Sequence, residues 1–347
     1  MNNTMATSNC SFEEVDHLMK TLELVFYVPI FLCGVAVNGW ALFVFCFKIE
    51  WRVSTIYFTN LVLMDLILLV PLPFKMHATN HRWTAQSKDL CSFLESLYFM
   101  GMYGSVYTIA CIAVDRWLGI CHLFKFRKPP SPVIRDKSRR HAVFACVAVW
   151  LAVLAPPALI YGFRDHGHED FHCFHGFSPK VWRPAIIVCL EVLGYVLPAL
   201  VIVFCSVRSA GSLNDELREL SDELRELSDE LRKQSDELSA KKLLSIRVIY
   251  SNMWAFLVPF TPSHLAILLQ FLVHQGVIQD CWTKTKVSLF LQVALCLANV
   301  TCCLDAPCYY FAAKEVRSIM NFRRQSSLKL LLSFRRWDRA DRSEEET

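Results

Sequence analysis

Long blocks of apolar residues alternate with short polar segments along the chain. Seven blocks stand out, at residues 24–47, 55–75, 92–114, 142–161, 184–207, 248–273 and 287–311. Each is long enough to cross a hydrocarbon core, which takes about 20 helical residues. The first and the fourth blocks carry no charged side chain. The pattern predicts an all-α membrane protein, a seven-transmembrane helix bundle.

The positive charges predict the orientation of the bundle. Segments 48–53, 122–141, 208–247 and 314–347 hold 26 of the 36 Lys and Arg residues. Because Lys and Arg collect on the cytoplasmic side, the N-terminus is expected outside a plasma membrane that the chain crosses repeatedly. The net charge of +4 then indicates a basic inner face against anionic lipid, and no nucleic-acid partner.

The blocks and the polar segments divide the chain into six parts. We expect an extracellular tail at 1–23, five spans within 24–211 and a heptad-repeat helix in the third intracellular loop at 212–241. Two further spans follow at 242–311, then a short amphipathic cytoplasmic helix eight at 312–324 and a cytoplasmic tail at 325–347. Asn2 and Asn9 begin N-x-[ST] sequences in the outer tail and are candidate glycosylation sites.

The segment 212–238, SLNDELRELSDELRELSDELRKQSDEL, has a different period. Leucines recur at alternating steps of four and three, with Gln234 in the one missing place: Leu213, Leu217, Leu220, Leu224, Leu227, Leu231 and Leu238. This heptad seam is typical of a coiled coil. Gly211 is expected to break span five, and Ser212 to cap a new helix that extends span six into the cytoplasm.

The role of the repeat stays open between two alternatives. In each unit of the repeat, L-[SN]-D-E-L-R, Glu precedes the second leucine, whereas Asn or Ser follows the first. A parallel pair of chains would therefore avoid Glu–Glu repulsion. The alternative is a solitary solvated helix, arising from repeat slippage or from an engineered insertion. Deleting 213–239 should leave any binding by the helix bundle intact, and it should lower a proximity signal between two copies of the chain only if the segment pairs.

Four of the 15 cysteines lie at or beyond the outer membrane edge: Cys10, Cys91, Cys173 and Cys281. An even number on the oxidising side favours two disulfides over free thiols, with three connectivities open. We favour Cys91–Cys173, which would hold the loop between spans four and five across the bundle mouth. Cys10–Cys281 would then tie the N-terminal tail to the last outer loop.

Seven charged side chains fall inside the spans or at their ends: Asp65, Lys75, Glu95, Asp115, Arg116, Glu191 and Asp305. Charge at membrane depth is costly and by default indicates function. Lys75 has an alternative, because a lysine near a helix end can reach the interface. Asp65 is too deep for that and needs an internal partner or a cation.

Short motifs in six spans and a lone Trp150 in span four resemble, in order, those of the rhodopsin-like (class A) G-protein-coupled receptors. They are Asn38, NLVLMDL, DRW, Trp150, Pro198, FTPSH and DAPCYY, over about residues 24–320. A closer resemblance, to the group of lysophosphatidylinositol and cannabinoid-like orphan receptors, rests on stretches such as LPFKM, LYFMGMYGSVYTI and LEVLGYVLP.

The resemblance implies roles for several of these residues. Asp115 and Arg116 would form the cytoplasmic switch that meets a heterotrimeric G protein, with arrestin and receptor kinases as further partners. The activation switches in spans six and seven would be Phe260, Pro262, Asp305 and Tyr309. Asp65, Ser105 and Asp305 fall where the family often holds a sodium ion, and oxygen ligands suit a hard cation.

The sequence also departs from the family's pattern. The usual N-P-x-x-Y reads D-A-P-C-Y, with its proline one residue late at Pro307. Ser206 stands where a tyrosine is usual, and Leu123 stands where a proline is common. These departures bear on the strength of coupling to the G protein and not on the fold.

The candidate ligand site lies between the outer halves of the spans. Its predicted lining is Lys75, Glu95, Tyr98, Met102, His264 and Gln270, under a loop with Arg164, His166, His168 and Arg183. Cations pair with phosphate while Met and aromatic side chains contact an acyl chain, so the mixture favours an anionic lipid. A hydrogen-bonded core histidine is the alternative for His264.

The ligand class can be narrowed by residues that related receptors would require. Nucleotide receptors of the same branch carry an Arg where this chain has Ile267, and hydroxy-acid receptors carry an Arg where it has Met102. These residues favour a lysophospholipid as the ligand, with lysophosphatidylinositol as the first candidate. The G proteins activated by the receptor are expected to be Rho-linked. The alternative is another small carboxylate or lipid acid.

Two other classes of protein compete with a receptor. A transporter often has two matching halves, and seven spans do not divide evenly. An enzyme is not expected, because neither a Ser/His/Asp arrangement nor a metal-ligand spacing such as HExxH occurs in the sequence.

Overall fold

A computed structural model describes residues 13–47, 53–80, 88–126, 132–162, 182–223 and 229–305. Within these ranges every regular element is helical. Seven helical segments are long and apolar enough to cross a membrane: Leu24–Phe47, Val53–Ala78, Asp89–Cys121, Asp136–Pro156, Pro184–Arg218, Ser245–His274 and Cys281–Asp305. They are spans one to seven. The predicted seven-helix membrane bundle is confirmed, and helix eight lies outside the described residues.

The helices of spans one, three, four and six extend beyond the membrane segments that they contain. Their bounds are α1 Glu13–Phe47, α2 Val53–Leu69, α3 Leu72–Asn80, α4 Lys88–Phe126, α5 Pro132–Gly162, α6 Pro184–Glu191, α7 Leu197–Glu223, α8 Asp229–His274 and α9 Cys281–Asn299. Spans two and five each consist of two helices, α2 with α3 and α6 with α7. Both interruptions lie in the outer half of the bundle.

Span two is interrupted at Val70 and Pro71. Proline has no backbone N–H and its ring clashes with the preceding turn, so the regular helix ends at Leu69 and restarts at Leu72. The backbone N–H of Lys75 donates to the carbonyl of Pro71 at 2.9 Å, which starts the new turn. This interruption precedes the turn that carries Lys75.

Span five contains a π turn, Val192–Val196, between α6 and α7. The backbone N–H of Leu197 reaches back five residues to the carbonyl of Val192. The phenol of Tyr107 in span three donates to the carbonyl of Leu193 at 3.1 Å. Such turns are rare inside helices and often accompany functional sites.

Span three packs closely against spans two and five through glycine. A Cβ added to Gly101 would lie 2.5 Å from the backbone nitrogen of Leu68, and one added to Gly194 would lie 2.6 Å from the Tyr103 ring. Side chains also tie spans two, three and four together. Trp150 donates to Asn60 at 2.9 Å, and Asn60 donates to Thr108 at 2.8 Å.

The predicted break between span five and the heptad repeat is wrong. Helix α7 continues through Gly211 to Glu223. Ser212 does not cap a new helix, because its hydroxyl donates to the carbonyl of Arg208 within the same helix. A glycine costs a helix only about 1 kcal/mol, and the helix retains its backbone hydrogen bonds across it.

The second part of the repeat continues into span six. Helix α8 begins at Asp229, within the repeat, and runs for 46 residues to His274. The predicted helical extension of span six is therefore present from Asp229. Continuity through residues 224–228 lies outside the described part of the chain, and pairing through the repeat stays a prediction.

The outer ends of spans three and seven carry disulfide-bonded cysteines, Cys91 and Cys281. Free thiols at these two positions are thereby excluded. The predicted partners Cys173 and Cys10 lie outside the described residues, as do Asn2 and Asn9. Beside Cys281, Asp280 caps α9 by accepting from the backbone N–H of Thr283 at 2.8 Å, and this bond lowers the pKa of Asp280.

Candidate functional site

Lys75 is buried in the outer half of the bundle. Only 8% of the residue is exposed. Its Nζ donates to the phenol of Tyr27 in span one at 2.8 Å. The same nitrogen lies 4.9 Å from the centre of the Tyr27 ring and 5.4 Å from that of Tyr98 in span three. A cation between two tyrosine rings is stabilised by their negative faces.

Other predicted lining residues lie on the same spans. Glu95, Tyr98 and Met102 are all buried on span three, at successive steps of three and four residues, so they share one helix face. Gln270 lies six residues beyond His264 on α8, which is about 9 Å along the axis and about 120° around it. No contact between Gln270 and the Lys75 group is found among the described residues.

The loop predicted to cover the site is only partly described. Arg164, His166 and His168 lie outside the described residues. Arg183 precedes α6 and is exposed. Nearby, Trp182 stacks on His274 with ring centres 4.4 Å apart, and Gln275 donates to the carbonyl of Trp182 at 3.2 Å. The outer ends of spans five and six are therefore joined.

A second buried polar group joins spans three, five and six. His264 is 2% exposed, and its Nδ1 lies 3.1 Å from Oε2 of Glu191. The imidazole stacks on Tyr195 at 4.7 Å and meets Tyr103 edge-on at 6.2 Å. Oε1 of Glu191 and Oη of Tyr103 are buried and find no hydrogen-bond partner among the residues that the structure describes.

Aromatic rings connect the surroundings of Lys75 with the pair formed by Glu191 and His264. Tyr98 packs edge-on against Phe99 at 5.8 Å, and Phe99 stacks on Tyr103 at 6.4 Å. Tyr103 in turn contacts the His264 ring. Between Lys75 and Glu191 the rings of Tyr98, Phe99 and Tyr103 therefore form a continuous aromatic wall, with a polar group at each end. An amphiphile with separated polar groups matches that lining.

The middle of the bundle holds two carboxylates. Asp65 is fully buried and accepts from the hydroxyl of Ser105 at 2.7 Å. Asp305 is 3% exposed and interacts electrostatically with Asp65. One oxygen of each, Oδ2, has no hydrogen-bond partner within the described ranges. Asp65 and Ser105 are thus in contact, and Asp305 lies within electrostatic range of Asp65.

The midplane residues fit a cation, because both carboxylates keep an unsatisfied oxygen. Two like charges at this depth are unfavourable unless a proton or a positive ion is shared between them. In the part of the chain that the structure describes, no three His, Cys, Asp or Glu side chains are grouped to hold a metal ion. The predicted set of two carboxylates and the Ser105 hydroxyl, and with it the sodium ion, stays a prediction.

The inner end of span three carries Asp115 and Arg116. The carboxylate of Asp115 lies within electrostatic range of the Arg116 guanidinium. Arg116 also lines a cavity between spans three, five and six, together with Ser206, Ser209 and Asn252. Ser206 stands where a tyrosine is usual in the family that the motifs resemble. The smaller side chain leaves space beside the arginine.

The predicted switches in span six lie in the core. Phe260 is 1% exposed and contacts Phe256 at 5.1 Å between ring centres. Pro259 and Pro262 interrupt the hydrogen-bond ladder of α8 without ending the helix, and Ser263 donates to the carbonyl of Phe260 at 2.8 Å. Tyr309 lies outside the described residues.

Sequence reasoning missed three tyrosines of the site: Tyr27, Tyr103 and Tyr195. A tyrosine inside an apolar block is equally typical of a buried core position, and its phenol partner comes from another span. Glu191 was recognised as a charge in the membrane but not as the partner of His264. The nearest sequence signal is Gly194, since a glycine beside a mid-span acid indicates close approach of a neighbouring helix.

Comparisons with known proteins agree with this architecture. The model of the 7 transmembrane receptor (rhodopsin family) matches residues 37–310. G-protein coupled receptor 55 of Mus musculus is 36% identical over 328 residues, which cover 93% of this chain and 95% of that receptor. Lysophosphatidic acid receptor 4 of Homo sapiens is 30% identical over 91% of this chain and 80% of its own. Lysophosphatidic acid receptor 6 of Gallus gallus is 31% identical over 89% of this chain and 95% of that receptor.

Proposed function

Because the chain belongs to the rhodopsin family of seven-transmembrane receptors, we propose that it binds an anionic lipid and activates heterotrimeric G proteins. The proposed ligand class is the lysophospholipids, with lysophosphatidylinositol as the first candidate. The G proteins proposed to be activated are Rho-linked. Two of the relatives are named as receptors for lysophosphatidic acid, which supports a lysophospholipid. The receptor is a multi-pass protein of the plasma membrane.

The observation that carries the proposal is the burial of Lys75. A lysine amine buried inside a helix bundle beside a phenol and two aromatic rings can pair with an anion. A phosphate would gain charge-assisted hydrogen bonds from Nζ, which are stronger than neutral ones. The neighbouring Tyr98 and Met102 are buried and suit the first part of an acyl chain.

The inner end of the bundle suits the second half of the function. Arg116 borders a cavity between spans three, five and six, so an outward movement of span six would uncover the arginine to the cytoplasm. A G protein is the proposed partner at that surface. Arrestin and receptor kinases are proposed as partners of the same activated state.

A lipid acid or another small carboxylate is the second candidate ligand. The pairing of Lys75 with Tyr27 suits a carboxylate as well as a phosphate, since both accept from an ammonium group. The two classes differ in the number of acceptor oxygens and in charge. The assay must therefore include both.

The test is nucleotide exchange on purified G proteins by the receptor in nanodiscs. Lysophosphatidylinositol, lysophosphatidic acid, oleic acid and neutral monooleoylglycerol are compared at matched concentrations. We expect exchange with a lysophospholipid and none with monooleoylglycerol. Activation by oleic acid alone would change the proposed ligand class from lysophospholipids to lipid acids. A parallel measurement in liposomes that shows lipid flux, with no nucleotide exchange in the nanodiscs, would favour a transporter.

Arg116→Ala separates binding from coupling in the same assay. The variant should bind the lipid as the wild type does and lose nucleotide exchange, because the arginine lies at the opposite end of span three from the Lys75 group. The matched control is Arg140→Ala, which removes an exposed arginine of α5 and should retain exchange. Equal loss of binding and exchange in Arg116→Ala would indicate a structural role instead.

A further inference from the structure

The group formed by Tyr103, Glu191 and His264 has unused hydrogen-bonding capacity. Glu191 uses one carboxylate oxygen on His264, and its other oxygen is buried without a partner among the described residues. The phenol oxygen of Tyr103 is also buried without a hydrogen-bond partner among these residues. Buried polar atoms left unsatisfied cost free energy, and each one calls for an explanation.

Tyr103 lies close to both other members of the group. Tyr103 packs edge-on against His264, which bonds Glu191, and it touches the π turn at Gly194. Tyr103 and Glu191 also interact electrostatically, although no hydrogen bond joins them. The π turn begins at the residue after Glu191 and is braced by the bond from Tyr107 to the carbonyl of Leu193. The three side chains are therefore held in place by packing from three spans.

The chemistry of the two atoms selects a kind of ligand group. A carboxylate oxygen only accepts, whereas a phenol both donates and accepts. A hydroxyl is complementary to both, because it donates one hydrogen bond and accepts another. An ammonium group of the ligand would suit Glu191, but the other end of the same aromatic wall already carries a cation, Lys75. An anionic group would be repelled by the Glu191 carboxylate.

We propose that Tyr103, Glu191 and His264 form a subsite for a hydroxyl group of the ligand. The hydroxyl donates to Oε1 of Glu191 and accepts from Oη of Tyr103, while His264 fixes the carboxylate. This subsite rests on the proposed function, since it assumes an anionic lipid whose charged group is held by Lys75. The receptor then recognises a lipid by a charge at one end of the aromatic wall and a hydroxyl at the other.

A lysophospholipid offers such a hydroxyl from two sources. Its glycerol carries a free hydroxyl at the position from which an acyl chain is missing, and a polyol headgroup carries several more. Lysophosphatidic acid has the first source only, and lysophosphatidylinositol has both. Analogues that lack the glycerol hydroxyl separate the two sources.

The clean variant is Tyr103→Phe, because it removes one oxygen that has no partner among the described residues and keeps the ring that packs on His264. The matched control is Tyr107→Phe, one turn further along span three, whose phenol bonds the backbone of the π turn. Affinity is measured in nanodiscs for lysophosphatidylinositol, for lysophosphatidic acid and for the 2-deoxy analogue of each lipid.

We expect Tyr103→Phe to weaken lysophosphatidylinositol about threefold to tenfold, the range of one net hydrogen bond, and to leave 2-deoxy lysophosphatidic acid unchanged. If glycerol supplies the hydroxyl, lysophosphatidic acid is weakened too, and 2-deoxy lysophosphatidylinositol is not. If the polyol supplies it, both inositol lipids are weakened equally and lysophosphatidic acid is not. Tyr107→Phe should change the affinity for each lipid and its deoxy analogue by the same factor.

Two results would overturn the subsite. One is a Tyr103→Phe receptor with unchanged affinity for all four lipids, as expected if only water bridges the two atoms. The other is a variant that weakens lysophosphatidic acid and its 2-deoxy analogue by the same factor. Failure of the proposed function is distinct: a wild-type receptor that binds neither lipid overturns both proposals, whereas a Lys75→Ala receptor with wild-type affinity overturns the anion anchor alone.

Discussion

The outer half and the middle of the bundle both bury charge, but they balance it in opposite ways. The outer half pairs unlike groups: Lys75 with a phenol and aromatic faces, and Glu191 with His264. The middle places two like charges, Asp65 and Asp305, near each other with one hydroxyl donor between spans. The described residues provide no cation beside them.

This difference indicates what each region requires from outside the protein. Each outer group has a partner within the protein, yet Glu191 and Tyr103 keep a buried polar atom without a hydrogen-bond partner among the described residues. The outer groups can therefore stay buried without a ligand and still recognise one. The midplane carboxylates are not balanced and need a shared proton or a bound cation at all times. The first arrangement suits a ligand site, and the second suits a site for a small ion.

The largest expected contrast is in stability. Glu191→Leu leaves His264 buried without its partner, and this should lower the free energy of unfolding by about 1–3 kcal/mol. Asp65→Asn removes one of two like charges and keeps an oxygen for Ser105, so it should leave stability unchanged or raise it. Thermal unfolding of the purified receptors in sodium-free buffer measures both effects. Glu191→Gln, which retains an acceptor for His264, is the control and should lose less than Glu191→Leu.

Effects of the same sign for Glu191→Leu and Asp65→Asn would break the comparison. A clear loss of stability in Asp65→Asn would mean that its carboxylate is satisfied by a group of the protein, and the ion site would lose its basis.

The next contrast is the response to sodium. We expect agonist affinity in the wild type to differ between sodium chloride and choline chloride at equal ionic strength, and Asp65→Asn to abolish that difference. Asp89→Asn, at an exposed position near the outer end of span three, should respond as the wild type does. A sodium response that survives in Asp65→Asn leaves a shared proton as the explanation for the two acids.

The smallest expected effect comes from Tyr27→Phe. The substitution removes the hydrogen bond to Lys75 but keeps the ring beside it, so the affinity for an anionic lipid should fall by about 0.5–1.5 kcal/mol, twofold to tenfold. Affinity for neutral monooleoylglycerol should not change. A fall of the same size for the neutral lipid would show that Tyr27 holds the bundle together and does not position Lys75.

The spans were predictable because a membrane imposes a strict rule on the sequence. Blocks of about 20 apolar residues can satisfy their backbone only as helices, so the sequence marks them plainly. That Asp65 needs an internal partner or a cation was predictable for a related reason, since a carboxylate at that depth cannot stay unpaired. Ser105 was named beside it only through the family resemblance. For Lys75 the sequence left two positions open, at the interface or inside the bundle, and the structure shows the side chain buried.

The local details of the outer site were not predictable. The π turn at Val192–Val196 changes the helix register by part of a turn, and its residues, VLGYV, are ordinary for a membrane helix. The tyrosines around Lys75 and His264 have apolar neighbours in the sequence and acquire their roles only through packing. The break expected at Gly211 failed because one glycine opposes helix formation less than the flanking residues favour it.

The central claim is that Lys75 anchors an anionic ligand. Its most direct test compares the binding of an anionic and a neutral lipid in the wild type and in a variant without the lysine charge. The affinities of lysophosphatidylinositol and of neutral monooleoylglycerol are measured for wild type and for Lys75→Ala, with surface expression matched. We expect the substitution to weaken the anionic lipid by about 1.5–3 kcal/mol, at least tenfold, and to leave the neutral lipid within about twofold. Equal changes for the two lipids would contradict the claim and return Lys75 to a structural role.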